Sequence, residues 1–517
     1  QILAKSLKQI NSDLIVYEAN YAQIDYEIIN DDSNLYKFSP DFIVIHETSI
    51  SFKRSYFSEP RLDENYYKNC ISRLENLLNK LNETFFEIKI IYPTLDINND
   101  MIFGNYFFKV PESIDAQLHY YNYELTKLAV RTNNLYLIDI NNLIIHNNEI
   151  RDSRLVITAD LHFTISFTKQ LAIAINKIML ASSGKFIKCV ILDLDNTLWG
   201  GVIGDDGLGG IQIGDLGIGK AFSEFQKWLK SLSGRGIILC VCSKNDEDIA
   251  KSPFLNHSDM VLSLDDIAVF VANWKNKVDN IHYIKNVLNI SYDSMIFIDD
   301  NPVERDMVKS AIGDIKVPEL PEDPTLYKDF LIKDNYFEIT NYSNLDSKRT
   351  KKYKAERERK DLESSSFNVD DYLKSLKMKA ELKEASDKNF PRISQLTQRT
   401  NQFNARTIRY NEEQIKNMSI DKNFMVLGYS LKDKFGGHGL VGLIILKKID
   451  KVSMFIDTFC MSCRVFNRGF EFFIIKHVET MMLEKDYEHL IVEWIPTEKN
   501  ALVKEFYLSL GFKNFEN

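Results

Sequence analysis

At 517 residues the chain is too long for one hydrophobic core, and two to four domains are expected. Apolar residues make up 44% and aromatic residues 12%, ample for packed globular domains. With 64 basic against 73 acidic residues, the formal charge is −9, which argues against general binding to nucleic acid or to an anionic membrane. No apolar run approaches a membrane span and no secretory signal opens the chain, so neither a membrane partner nor export is expected. The six cysteines (Cys70, Cys189, Cys240, Cys242, Cys460, Cys463) lie mostly in apolar, strand-like runs. They read as reduced thiols of a cytoplasmic protein rather than as a disulfide framework. The start at Gln1, without a Met, is read as a piece of a longer, multidomain polypeptide.

Residues 1–183 alternate apolar runs with amphipathic stretches. Asp41–Ile45, Phe86–Tyr92 and Leu135–Ile140 read as buried strands, with helices at Tyr66–Leu81 and Ile114–Arg131 between them. That alternation implies a parallel sheet covered on both faces. Residues 184–335 form a second domain. The apolar Val190–Leu192 carries the chain to Asp193, and Asp195 and Thr197 follow in alternation, as at the C-terminal end of a buried parallel strand. In the glycine-rich stretch beyond it, Gly214 and Gly219-Lys220 nearly match a P-loop. Ala221 stands where a magnesium-binding hydroxyl is needed, so the stretch reads as a turn before a helix Ala221–Ser231. Gly236–Ser243 and Ser294–Asp300 are further strands. Residues 336–370 are a charged helical connector, in which Lys348–Asp361 reads as a solvated helix face. In residues 371–517 strands are expected at Met378–Glu384, Phe424–Ser430, Leu440–Ile449, Ser453–Cys460 and Leu490–Trp494.

Phosphoryl transfer needs a nucleophile, an acid/base and positive charge against the transition state. The second domain offers each at a strand end. Asp193 is placed as nucleophile and Asp195 as acid/base. Ser243 would hydrogen-bond the phosphoryl oxygens, and Lys277, or the neighbouring Lys275, would neutralise them. Asp299 and Asp300 would hold Mg2+ together with Asp193 and the backbone carbonyl of Asp195. Singly these signals are weak, because a lone DxD or an Asp-Asp turn is common. Their order along the chain is what points to chemistry.

The DLDNT string (Asp193–Thr197) resembles motif one of the haloacid dehalogenase (HAD) phosphotransferases. The wider TLWGGVIGDDG (Thr197–Gly207) is similar to the FkbH-like proteins, of HAD subfamily IIIC-like type, which load three-carbon glyceryl units in polyketide assembly. SKND (Ser243–Asp246), NWKNKVDNI (Asn273–Ile281), DDNPVER (Asp299–Arg305), QLTQRTNQFN (Gln395–Asn404) and SCRVFNRGFE (Ser462–Glu471) share the likeness. It implies an α/β multidomain chain: a degenerate SGNH-like domain, a HAD-like Rossmannoid domain and a GNAT-like acyltransferase domain, the last echoed by Lys504–Phe512. It favours Lys277 over Lys275 and places Thr197, Ser243, Lys244 and Asn245 on the substrate phosphate.

In the GNAT-like part the resemblance implies a phosphate-holding loop at a helix N-terminus, fitted by Arg464, Arg468 and Gly469, with Asn467 where a glycine is expected. Cys463 is either an acyl-carrying thiol or a small core residue. His438, in the GGHG turn, is either its base or a surface-loop residue. The first domain lacks the SGNH nucleophile turn, and Asp160-Leu161-His162 has the wrong spacing for the SGNH pair, so that domain is expected to be a scaffold or docking surface.

The function so implied is a glyceryl transferase/phosphatase. It would take its acyl unit from 1,3-bisphosphoglycerate, remove phosphate at the Asp193 centre and load the phosphopantetheine thiol of an acyl carrier protein. The chain would be a loading domain of a polyketide synthase. The rival readings are a plain HAD-type phosphatase with non-catalytic flanking domains, a coenzyme A-dependent acetyltransferase, and a docking module.

Overall fold

The computed structural model describes residues 1–20, 22–59, 63–85, 88–97, 100–146, 149–342, 369–462, 465–466 and 468–513. These residues form two compact units, Gln1–Ala181 and Ser182–Asn517. Among them no helix is long and apolar enough to cross a membrane.

The first unit is built on three parallel strands, β1 (Phe42–Val44), β2 (Lys89–Pro93) and β3 (Leu135–Ile138), in that order. Neighbouring residues of a strand point to opposite faces, so Ile90 and Tyr92 enter one core and Ile91 enters another. On the first face, Leu74, Leu77, Leu78 and Leu81 form the apolar stripe of the helix Tyr66–Thr84. On the second, Phe167, Leu171 and Ile175 come from the helix Ile165–Ser182. A helix over Ser49–Ser58 leaves the C-terminal side of β1. It is started by a reciprocal cap in which the Thr48 side chain accepts from Ser51 N–H and the Ser51 hydroxyl accepts from Thr48 N–H.

The second unit contains two sheets. One has four parallel strands, β4 (Cys189–Leu192), β5 (Ile238–Ser243), β6 (Ile267–Ala272) and β7 (Met295–Ile298), ordered β6-β5-β4-β7. β4 lies inside the sheet and is buried on both faces, which is why its sequence is an unbroken apolar run. β6 is equally buried, a strand that the sequence pattern did not single out.

The other sheet has five strands, β8 (Lys379–Glu384), β9 (Phe424–Asp433), β10 (Gly436–Lys448), β11 (Ser453–Met461) and β12 (His489–Val492), ordered β12-β11-β10-β9-β8. Its pairs are antiparallel except β11 with β12. The helices Phe390–Arg399 and Glu412–Ile420 cover one face, and Phe470–Glu484 covers the other. Gly442 on β10 permits that second packing, because a Cβ there would lie 2.7 Å from Ile474 Cδ1.

Between the two sheets of this unit, Gly184 (φ +80°) lies so close to the Gln398 carbonyl that a Cβ would stand 3.1 Å from it. Arg399 stacks over Phe186 beside it. Most of the expected charged connector, including Lys348–Asp361, lies outside the described residues.

Candidate active site

The four parallel strands converge at their C-terminal ends, where an open α/β sheet presents its loops. Asp193 follows β4, and its N–H donates to the Ile298 carbonyl at 3.0 Å. Asn196 takes a left-handed backbone (φ 54°), and its Oδ1 accepts from Gly201 N–H at 2.9 Å, turning the chain back over the strand end. Asp195 Oδ1 accepts from Trp199 Nε1 (2.9 Å) and Ile203 N (3.0 Å), and Oδ2 from Asn245 Nδ2 (3.2 Å). Burial raises the Asp195 carboxyl above its ordinary range, against the Ile203 and Trp199 hydrogen bonds. That shift favours a group able to deliver a proton.

Lys277 opens the helix Lys277–Leu288 after β6, with its Nζ 2.6 Å from Asp299 Oδ2 and 2.9 Å from Asp193 Oδ2. Burial opposes its charge, but the two carboxylates outweigh burial and hold the ammonium above its usual pKa. Burial first, and then the Asp193 charge, push Asp299 up to about 7 despite Lys277. Asp300 is raised for the same two reasons, burial being the larger.

Oxygens of Asp193, Asp299 and Asp300 lie within 4.8 Å of one another, and Asp193 Oδ1 is buried without a hydrogen-bond partner. A surplus of buried carboxylate oxygens around one orphaned atom suits a hard divalent cation. Arg305 Nη1 fixes the loop that presents them, donating to the carbonyls of Asp299 (2.9 Å) and Asp300 (2.6 Å).

The structure separates Lys277 from Lys275, which is exposed. Ser243 is buried at the end of β5. Three side chains expected on the phosphate also have protein partners. Thr197 Oγ1 accepts from Asp300 N–H at 3.2 Å, Lys244 pairs with Glu304 at 2.6 Å, and Asn245 holds Asp195. These residues therefore align the acidic groups.

Cys463, Arg464 and Asn467 lie outside the described residues. Arg468 is buried, and Gly469 (φ 76°) precedes the helix Phe470–Glu484 at its N-terminus. His438 corrects the expectation of a surface turn. It lies in β10, is 3% exposed, and places Nε2 3.0 Å from Asp433 Oδ2. The glycines around it hid a strand that begins at Gly436. Burial pushes the Cys460 thiol up to about 12, as for a packing residue. In the first unit, His162 pairs with Asp96 at 2.7 Å, while Asp160 pairs with Arg54.

Sequence reasoning gave Trp199, Glu304 and Arg305 no role, although all three lie in the strings that carry the family likeness. Only the fold brings them to the carboxylates.

The family model described as "FkbH, N-terminal domain" matches residues 1–180. Among solved structures, the N-terminal part of the protein BF1531 from Bacteroides fragilis, described as containing a phosphatase domain and complexed with Mg, is 39% identical with a TM-score of 0.63. The match covers 66% of this chain and 92% of that one. The ribosomal-protein-S18-alanine N-acetyltransferase of Escherichia coli (13% identity, TM-score 0.22) covers 27% of this chain and 80% of its own. An aminoglycoside acetyltransferase from an uncultured soil metagenomic sample (14% identity, TM-score 0.20) covers 27% and 91%. At such scores these last two carry no argument. No curated protein matches the chain. The profile match and the 39%-identical relative together support an enzyme of phosphatase type, and the chain belongs to the FkbH-like family.

Proposed function

We propose that the chain is a Mg2+-dependent phosphatase joined to an acyltransferase, which delivers a three-carbon acyl unit from 1,3-bisphosphoglycerate to the phosphopantetheine thiol of an acyl carrier protein in polyketide assembly. The observation that carries the phosphatase half is Lys277 bridging Asp193 and Asp299 beside the orphaned Asp193 Oδ1. Asp193, Asp299, Asp300 and the Asp195 carbonyl would hold Mg2+, as the Mg-complexed relative suggests; the ion would supply charge neutralisation at the phosphoryl oxygens.

Asp193 attacks the phosphorus of the phosphomonoester. The bond from phosphorus to the alcohol oxygen breaks, and that oxygen takes the proton of Asp195. Asp195 then accepts a proton from the water that attacks the aspartyl phosphate. Inorganic phosphate leaves and Asp193 is restored. Lys277 stays against Asp193 throughout, offsetting charge that would otherwise accumulate in a buried site.

For the transfer half, the strand order of residues 379–492 with its single parallel pair, and the helix Phe470–Glu484 that Gly469 precedes between β11 and β12, support a GNAT-like fold. Cys463 would attack the acyl phosphate of 1,3-bisphosphoglycerate. The bond from the acyl carbon to the phosphate oxygen breaks, phosphate departs and a thioester forms, with His438 taking the thiol proton. The Asp193 centre would then remove the remaining phosphate, and the carrier's thiol would displace Cys463. On this reading residues 1–183 are an SGNH-like scaffold, residues 184–335 the phosphatase, 336–370 a connector and 371–517 the transferase of a cytoplasmic synthase.

The test is the intact mass of a carrier protein incubated with the chain, Mg2+ and 1,3-bisphosphoglycerate. A glyceryl-sized gain should vanish with Cys463→Ala. With Asp193→Asn it should become a phosphoglyceryl-sized gain or disappear. An unmodified carrier, with phosphate still released from small phosphoesters in the Cys463→Ala chain, would leave a plain phosphatase.

A further inference from the structure

Among the described residues of the first unit, four buried polar atoms have no hydrogen-bond partner: His46 Nε2, Asp115 Oδ2, Arg151 Nε and His162 Nδ1. Folded proteins hold few such atoms, and these four gather around one carboxylate and the segment beside it. Asp96, 1% exposed and just past the C-terminal end of β2, accepts from His162 Nε2 (2.7 Å), from Ser49 Oγ (2.8 Å) and from Arg151 Nη2. An ionised carboxylate only accepts, so the His162 proton sits on Nε2 and its Nδ1 is left as an acceptor. His46 lies beside it, with its ring stacked on Phe163, which also contacts His162.

Lys53 pairs with Asp100 at 2.8 Å, and Asp100 N–H donates to Asp115 Oδ1 at 3.1 Å. Both ends of the segment 101–114 are thereby held at this cluster. The segment raises an apolar lip, because Met101, Ile102, Phe103, Tyr106 and Phe108 are 45–68% exposed. Contiguous exposed apolar residues of this kind mark a binding surface rather than ordinary solvent-facing chain.

We infer that the C-terminal edge of this sheet binds a small, uncharged ligand bearing hydroxyl and amide groups on an apolar body. The polar demands are specific. His162 Nδ1 and Asp115 Oδ2 need donors, while Arg151 Nε–H needs an acceptor. Hydroxyl and amide groups supply both. An anion is disfavoured, because Lys53 is paired with Asp100 and Arg151 with Asp96, the Asp115 carboxylate adds negative charge beside Asp100, and burial keeps both imidazoles neutral. The apolar portion of the ligand rests on the lip. The inference stands on the first unit and does not depend on the proposed transfer reaction.

Pantetheine, uncharged, with hydroxyl and amide groups and a methylated body, is the probe. The full chain, labelled at histidine Cε1, offers nine imidazole signals. Titration should move two of them saturably, those lost on His46→Gln and His162→Gln, and inorganic phosphate should move neither. Phe108→Ser, at an exposed position that leaves the core intact, should weaken binding about fivefold. Three results would each overturn the inference: no saturable shift up to about 10 mM probe, an equal response to phosphate, or affinity unchanged in Phe108→Ser. Failure of carrier loading would leave this result untouched.

Discussion

Lys277, 3% exposed, lies between two carboxylates, and its charge decides whether Asp193 and Asp299 can coexist ionised. Replacing it as Lys277→Met leaves those buried charges uncompensated, at a cost of about 3–5 kcal/mol. Thermal unfolding without divalent cation should show that loss, and saturating Mg2+ should recover part of it. Equal destabilisation with and without Mg2+ would sink the reading of these carboxylates as a cation site. His46 and His162 supply the complementary pH effect. Burial lowers them to about 4 and about 3 respectively. Between pH 6.5 and about 4 the unfolded chain binds protons that the folded chain refuses, so stability falls as pH falls through that window, by up to about 1.4 kcal/mol per unit for each histidine. Chemical denaturation at pH 7 and pH 5 should show the drop, and His162→Gln should reduce it, His46 carrying the remainder.

At the scale of elements, the glycine-rich run before the helix Gly219–Gly234 shows how spacing can mislead. Gly214 and Gly219 imitate a phosphate-binding loop. A Cβ on Gly219 would meet the Ile213 backbone at 2.9–3.0 Å, and one on Gly214 would meet Asp259 Oδ2 at 2.8 Å. Gly219 is there for close backbone approach, whereas Gly214 takes a positive φ (124°) against the Asp259 side chain. Gly219→Ala should therefore cost about 1–3 kcal/mol of stability through a forced backbone shift. Urea denaturation measures it, and an unchanged midpoint would show that the helix start yields freely. The glycines of β10 misled in the opposite sense. They read as a turn, yet the hairpin with β9 continues through them and buries His438 against Asp433.

For the whole molecule, two compact units with separate cores predict unfolding in more than one step. Calorimetry of the full chain should resolve an acid-sensitive transition, carrying His46 and His162, and a Mg2+-sensitive one, carrying the Asp193 centre. Saturating Mg2+ at a hundred times its Kd should raise only the second, by about 2.7 kcal/mol. A single transition responding to both variables would show that the units unfold together.

The sequence by itself determined the apolar strand that ends at Asp193, the order of the acidic residues and the family, because a buried parallel strand must be apolar throughout and its polar residues follow at its end. Val190–Leu192 and Asp193 show both features in the letters alone. The helices of the first unit were legible for the same reason, since Leu74, Leu77, Leu78 and Leu81 keep one face of the helix Tyr66–Thr84 apolar. Tertiary structure decided what depends on distance between strands. It buried Lys277 between two carboxylates and left Lys275 exposed, gave Thr197, Lys244 and Asn245 partners in Asp300, Glu304 and Asp195, gave His162 the distant Asp96 instead of Asp160, and closed β10 around His438. Most of these partners are distant in the chain, as Asp96 is from His162 and Asp299 from Lys277, so no local pattern encodes them; His438 meets Asp433, five residues back, because the hairpin brings β9 and β10 together.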